Sequence, residues 1–252
     1  MKRLATLTAL ILAVAALPAF AQRRPTALDF ASDFQTVPVM GNTPGFGGAT
    51  FLTYVAILNP TASAYSVTAT LYDSAGTKRE ALISLAAGEQ KVFANFLGEV
   101  FGFTGGGAVT FKSPESTGGT HNNRFIISAE VRTSGTNYST TIPALEFAGS
   151  NSRSFVAGIT VDSTVRTNIG CFNQADVANN VRATILDKSG AQVIGTANLS
   201  LPANAWGQTT VTSIVSNGYV QFDPAEAAVC YAVIVHNSTS DGRFMSAAEY
   251  RP

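Results

Sequence analysis

Two cysteines, two histidines and one tryptophan are the residues whose chemistry most restricts what this chain can do. Cys171 and Cys230 lie 59 residues apart in the second half of the sequence. A cysteine pair within one folded unit of an exported protein predicts a disulfide. Strand alternation weakens that prediction, because Cys171 would point inward and Cys230 outward. The corresponding residues of the first half are expected to be Ile57 and Ile126.

The histidines show no partner motif. His121 lies in the polar stretch Gly118–Asn123, followed by Asn122 and Asn123, and His236 ends a predicted strand. A catalytic triad needs a nucleophile, a base and an acid that converge, and no Gly-x-Ser-x-Gly pattern is present. Two histidines without metal-ligand spacing do not predict a zinc site. The sequence therefore predicts no catalytic residue, no metal site and no cofactor, and His121, Asn122 and Asn123 are retained only as candidate binding residues.

Trp206 follows a turn-rich stretch, and two interpretations remain open for it. A flat aromatic ring near a loop could stack on a sugar, but a single tryptophan without neighbouring aromatics more often packs in a core or at its rim. Glu130 is unusual on an apolar strand, and an ion pair with Arg132 or Arg124 would explain it.

The elements that must position these residues follow from an internal repeat. The stretch Thr50–Gly76 recurs without a gap at Thr164–Gly190, an offset of 164 − 50 = 114. Each copy predicts two strands with alternating apolar residues and a closing Asp-x-x-Gly turn. Asp73 and Asp187 are interpreted as turn formers, because a calcium loop would need further oxygen ligands at alternate positions.

Beyond the repeat, each half contains about seven short strands over about 100 residues, typical of an antiparallel sandwich of immunoglobulin-like size. A change of period at Asn95–Phe101 predicts a short helix in the first half, with Asn95 as its cap. The predicted fold is all-β, with two tandem immunoglobulin-like sandwiches. Its expected divisions are a signal peptide at 1–21, a flexible lead at 22–33, domains at 34–147 and 154–252, and a linker at 148–153.

The first 21 residues combine basic Lys2 and Arg3, an apolar run and the small-x-small sequence Ala19–Ala21. This is the pattern of a cleaved signal peptide, so we expect a secreted, periplasmic or surface protein with no transmembrane segment in its mature form. Cleavage leaves 16 − 2 = 14 basic residues against 16 acidic ones, a net charge of −2. Nucleic acid is therefore not an expected partner.

The chain resembles secreted bacterial proteins with tandem β-sandwich domains. The resemblance rests on Thr53–Pro60 and Thr167–Asn173, on the hairpin Leu71–Gly76, and on Leu85–Glu89 and Leu201–Asn204. These motifs are strand ends and turns, so the resemblance implies fold and export but no activity.

Three functions remain open on sequence alone. The first is a non-enzymatic structural, adhesive or binding module for a cell-surface or extracellular ligand, a glycan or a protein, with specificity in the loops Asn95–Gly107 and Ser113–Asn123. The second is a carbohydrate-binding module that uses Trp206. The third is a hydrolase with an unrecognised site, because a fold alone does not define an activity.

Overall fold

The computed structural model describes residues 31–45, 48–114, 123–135, 138–146 and 149–249. The predicted signal peptide, most of the predicted lead, His121 and Asn122 lie outside the described residues. No helix within these ranges is long and apolar enough to span a bilayer. The described chain is almost entirely antiparallel β-structure, as predicted.

The described part of the first half contributes eight strands and one helix. The strands are Phe34–Pro44 (β1), Thr50–Leu58 (β2), Tyr65–Tyr72 (β3), Lys78–Leu85 (β4), Gln90–Phe93 (β5), Gly105–Lys112 (β6), Ile126–Thr133 (β7) and Ser139–Ile142 (β8). The helix is Phe96–Phe101 (α1). The last strand, β8, ends at Ile142 because Pro143 has no backbone N–H to continue the ladder.

The second half contributes nine strands over residues 149–249. They are Ser154–Val161 (β9), Val165–Asn173 (β10), Asn179–Leu186 (β11), Val193–Leu201 (β12), Trp206–Thr210 (β13), Val215–Pro224 (β14), Ala228–His236 (β15), Gly242–Ser246 (β16) and Ala248–Glu249 (β17).

The repeat is visible in the strand order. The sheet of the first half has the order β4-β3-β6-β1-β2-β7-β8, with β5 also paired to β2. The second half has β12-β11-β14-β9-β17 in one sheet and β13-β10-β15-β16 in another. Each of the first eight strands thus has a counterpart in the second half, and the pairings correspond except that β1 pairs with β2 whereas β9 pairs with β17.

The halves differ in how their two layers are joined. In the first half β1 pairs with β6 and then, over Asn42–Pro44, with β2, so one sheet continues around the core. In the second half Asp162 ends β9, and its Oδ1 accepts hydrogen bonds from Thr164 and Val165. A sandwich was predicted to have two sheets that are not hydrogen-bonded to each other, and this is wrong for the first half. There β1 is long enough to run from one layer into the other and to pair with a strand in each.

Each half has its own apolar core, and the core side chains come from both layers. In the first half they include Val37, Val55, Ile57, Val67, Leu71, Phe96, Val109, Phe111 and Ala129. In the second half they include Val156, Ile169, Cys171, Val181, Ile185, Leu201, Val220, Phe222 and Cys230. Alternating strand residues pointing to one side of a sheet account for this arrangement.

The predicted helix closes one end of the first core. Asn95 caps it: the Asn95 side chain accepts a hydrogen bond from Gly98 N at 3.2 Å, and Glu99 Oε1 accepts one from Asn95 N at 2.8 Å. Phe96 and Leu97 are fully buried. The helix in the segment Asn95–Gly107 thus covers one end of the first core, and we call it the helical plug. At the corresponding place the second half has no helix between β13 and β14, and β14 begins at Val215.

Candidate functional site

The cysteines form a disulfide, as predicted. Cys171 in β10 lies directly opposite Cys230 in β15, with a Cα–Cα distance of 4.1 Å. Directly opposed residues of an antiparallel pair share one face, so the expected outward orientation of Cys230 is wrong. The ladder between β2 and β7 pairs Ile57 with Ile127, so Ile127 rather than Ile126 corresponds to Cys230. The prediction failed because the aligned strands were displaced by one residue, which exchanges the two faces.

The Asp-x-x-Gly sequences form turns. Asp73 Oδ1 accepts hydrogen bonds from the backbone N–H groups of Ala75 and Thr77, both at 2.9 Å, and Gly76 adopts a φ of +78°. The Asp187 carboxylate accepts from Ser189 and Gln192 in the same way, and these bonds lower its pKa. Both aspartates stabilise hairpins.

The remaining candidates of the first half are dispersed. Asn123 Nδ2 donates to Pro114 O at 3.0 Å, which links the two described ends of the loop 113–123. Glu130 pairs with Arg132 at 3.0 Å, which confirms one of the two expected ion pairs. His236 lies exposed at the end of β15. Within the described ranges, no group of three or more His, Cys, Asp and Glu side chains could hold a metal ion.

Trp206 lies between the two halves of the molecule. Its backbone N–H donates to Asp73 O at 3.1 Å, so the start of β13 is hydrogen-bonded to the first-half turn. A Cβ atom added to Gly106 would lie 2.6 Å from the indole, so this glycine lets the ring approach the backbone of β6. Nearby, the rings of Tyr72 and Phe172 are 4.8 Å apart. Trp206 is therefore part of the contact between the halves.

A hydrogen-bonded relay starts at the indole. Trp206 Nε1 donates to Tyr231 Oη at 2.9 Å, and Tyr231 Oη donates to Gln208 Oε1 at 3.1 Å. Tyr231 has 0% exposure, and burial raises the pKa of its phenol far above the usual range. Its ring stacks on Phe244 and lies close over Gly170, where a Cβ atom would clash with the hydroxyl.

Trp206 and Gln208 border a cleft of about 130 Å³ between the halves. Its apolar wall comes mainly from the first half, with Val39, Met40, Phe51, Val131 and Ile142. Its polar wall comes mainly from the second half, with Arg166, Asn168, Trp206 and Gln208. A concave apolar site with a few convergent polar groups is the usual form of a small-molecule site, so this cleft is the candidate functional site.

The polar wall is held by hydrogen bonds within the second half. Arg166 Nη1 donates to Asn237 Oδ1 at 3.0 Å, and partial burial lowers the pKa of the guanidinium. Asn168 Oδ1 accepts from Thr210 Oγ1 at 2.8 Å. The side chains of the wall are thus oriented by the protein itself, in the manner of a preorganised site.

Sequence reasoning found Trp206 but missed Tyr231, Gln208, Arg166 and Asn168. The strand registers show that their first-half counterparts are Ser128, Val92, Leu52 and Tyr54. The available signal was that these outward-facing positions carry different residues in the two copies of the repeat.

Comparison with known protein families and with curated proteins finds no match to this chain.

Proposed function

We propose that this protein is an exported, non-catalytic binding module. In this proposal two immunoglobulin-like sandwich domains, 34–147 and 154–252, are joined through 148–153. They hold an extracellular ligand in the cleft between them. The ligand is bound on a rigid frame and released unchanged.

The observation that supports this proposal is the relay Trp206–Tyr231–Gln208 at the edge of the cleft. The corresponding positions of the first half carry Gln90, Ser128 and Val92, and these three side chains cannot form such a relay. Shared positions such as Asn59 and Asn173 have structural roles in both halves, so the cleft residues are the ones that distinguish the second copy. Export is supported by the signal-like residues 1–21 and by the disulfide, which is typical of oxidising compartments.

The proposal replaces one expectation about the position of the site and leaves two others as predictions. The loop Asn95–Gly107 contributes buried side chains to the first core, so the cleft takes its place as the site of specificity. The loop Ser113–Asn123 stays a prediction, because most of it lies outside the described residues. A carbohydrate platform at Trp206 also stays a prediction, with the difference that the indole already contacts Gly106 and Tyr231.

The test is a fluorescence titration of the mature protein against glycans, peptides and small organic acids. Trp206 is the only tryptophan, so a change in its emission reports on the cleft directly. Val233→Phe fills the cleft from the second half and is expected to abolish binding, whereas Val92→Phe on the corresponding face of the first half should leave it intact.

Equal binding by Val233→Phe and the parent protein would remove the cleft from the proposal. A parallel assay for esterase, protease and glycosidase turnover addresses the enzymatic alternative. Turnover that is lost in Val233→Phe would replace a binding module with a hydrolase.

A further inference from the structure

We infer that the cleft recognises a small organic carboxylate with a compact apolar body, such as an aromatic or branched aliphatic acid. This inference rests on the proposed binding function and assigns the chemical class of its ligand.

The direction of the relay fixes what Gln208 can offer. An indole N–H only donates, so Tyr231 Oη must accept from Trp206 and use its own hydrogen to donate onward. The acceptor is Gln208 Oε1, so the oxygen end of the amide faces Tyr231. Gln208 Nε2 has no protein partner among the described residues, so the side chain offers two N–H donors at the edge of the cleft.

The Asn168 amide is oriented in the same way as that of Gln208, with its oxygen bonded to the protein. Its Oδ1 accepts from the Thr210 hydroxyl at 2.8 Å, and its Nδ2 has no partner within the described ranges. Two amides on neighbouring strands, β10 and β13, therefore both present N–H groups. A ligand group that satisfies them must be an acceptor.

Arg166 adds a permanent positive charge to this donor set. It lies in β10 two residues before Asn168, on the same face of the strand, and it borders the same cleft. Arg166 Nη1 donates to Asn237 Oδ1, and the described residues that line the cleft include no Asp or Glu. A partly buried guanidinium with amide donors beside it matches a carboxylate, which accepts several charge-assisted hydrogen bonds.

The remaining wall sets the size and polarity of the rest of the ligand. Val131, Ile142 and Val233 are among the apolar side chains that border a volume of about 130 Å³. An apolar cavity of about 150 Å³ accommodates a benzene ring in another protein. The cleft therefore suits one ring or a short branched chain, and it is too small to enclose an oligosaccharide.

The experiment compares benzoate, benzyl alcohol and acetate by Trp206 fluorescence and by isothermal titration. Benzoate combines the ring and the carboxylate, benzyl alcohol lacks the charge, and acetate lacks the ring. We expect benzoate to bind with a Kd of about 1 mM, which is realistic for so small a ligand, and the other two to bind at least about tenfold more weakly.

Two variants test the donor set. Gln208→Glu keeps an oxygen that can accept from Tyr231 but replaces the amide donor with a negative charge, and Arg166→Gln removes the cation. Each is expected to weaken benzoate binding about 10- to 100-fold with little change for benzyl alcohol. Arg132→Gln, on the corresponding face of the first half, is the matched control and should bind benzoate normally. If Arg166→Gln does not fold, Gln208→Glu still decides the question.

Equal affinity for benzoate and benzyl alcohol, absence of benzoate binding, or undiminished binding by Gln208→Glu would overturn the carboxylate assignment. A neutral saccharide that binds and is blocked by Val233→Phe would overturn it as well, while leaving the cleft as a binding site. If nothing in the broad screen binds, both the ligand class and the proposed function fail.

Discussion

The outer face of β13, β10 and β15 in the second half packs against the first half, whereas the equivalent face of β5, β2 and β7 is largely open to solvent. On the first of these faces, Tyr231 has 0% exposure and Phe172 has 2%. On the other face, Val92 is 49% exposed and Arg132 stacks on Tyr54, with 3.7 Å between the guanidinium carbon and the ring centre. The two halves thus contain corresponding three-stranded faces with different outward side chains. Only the face of the second half packs against the other half.

The inner parts of the two halves diverged much less. Asn59 and Asn173 are fully buried, and each amide Nδ2 donates to two loop carbonyls at 2.7–2.8 Å. Thr53 and Thr167 are also buried, and each hydroxyl donates to a carbonyl of the preceding strand, at Gly41 and Thr160. Residues that satisfy buried backbone groups are difficult to replace, because an unpaired buried carbonyl is strongly destabilising.

The cores differ at two places. The second half has a disulfide where the first has Ile57 and Ile127, and the first half has α1 where the second has none. Each half therefore stabilises the common topology with a device that the other lacks. The following predictions test whether these devices act locally, in order of decreasing expected effect.

Removing the disulfide should have the largest effect and should be confined to the second half. The bond closes a loop with a sequence separation of 59 residues, for which loop-closure entropy predicts a stabilisation of about 4 kcal/mol. Cys171→Ser with Cys230→Ser should lower the free energy of unfolding by that order. Hydrogen exchange should speed up in β10 and β15 and stay unchanged in β2 and β7. Equal acceleration in both halves would show that they unfold as one unit.

Truncating the helical plug should have the next largest effect, now in the first half. The Phe96 ring is fully buried and lies 5.2–5.8 Å from the rings of Phe93, Phe101 and Phe111. Phe96→Ala should destabilise the protein by about 3 kcal/mol, because it removes an aromatic side chain from a packed core. Urea denaturation measures the loss, and the exposed Val92→Ala serves as a control with little expected change. A loss below about 1 kcal/mol would mean that the plug is not part of the core.

The buried asparagines should give smaller effects that are equal in the two halves. Asn59→Ala and Asn173→Ala each leave two loop carbonyls without their donor, which should lower stability by about 2 kcal/mol. Paired urea titrations of the two variants test this equality. A difference of more than about 1 kcal/mol would indicate that the clamps are no longer equivalent.

The pH dependence provides the smallest and most specific effect. Burial raises the pKa of Tyr65 from 10.0 to about 12, and its hydroxyl donates to Arg124 O at 2.7 Å. Because the unfolded state loses this proton first, the contribution of Tyr65 is complete below pH 10 and is lost as the pH rises towards 12. The stability difference between the parent protein and Tyr65→Phe should therefore shrink over that range. A constant difference would contradict the raised pKa.

Much of the fold could be predicted because it depends on local patterns. The two strands predicted in each copy of the repeat are present, as β2 and β3 in the first copy and β10 and β11 in the second, since alternation and bounding turns are properties of short segments. The asparagine cap at Asn95 and the glycine of the Asp-x-x-Gly turn also act within a few residues. The orientation of Cys230 could not be predicted reliably, because it depends on the register between strands that are distant in sequence. A shift of one residue in that register moves each side chain to the opposite face of the sheet.

By itself, the sequence determined the duplication, the all-β class, the short helix and the pair of cysteines available to bond. Only the tertiary structure decided that β1 joins two layers in the first half, that Cys171 and Cys230 share a face, and that Trp206 packs against Gly106 of the other half. The physical reason is that a periodic pattern shows which side chains share a face, but not which surface covers that face. That depends on complementary shapes brought together from distant parts of the chain.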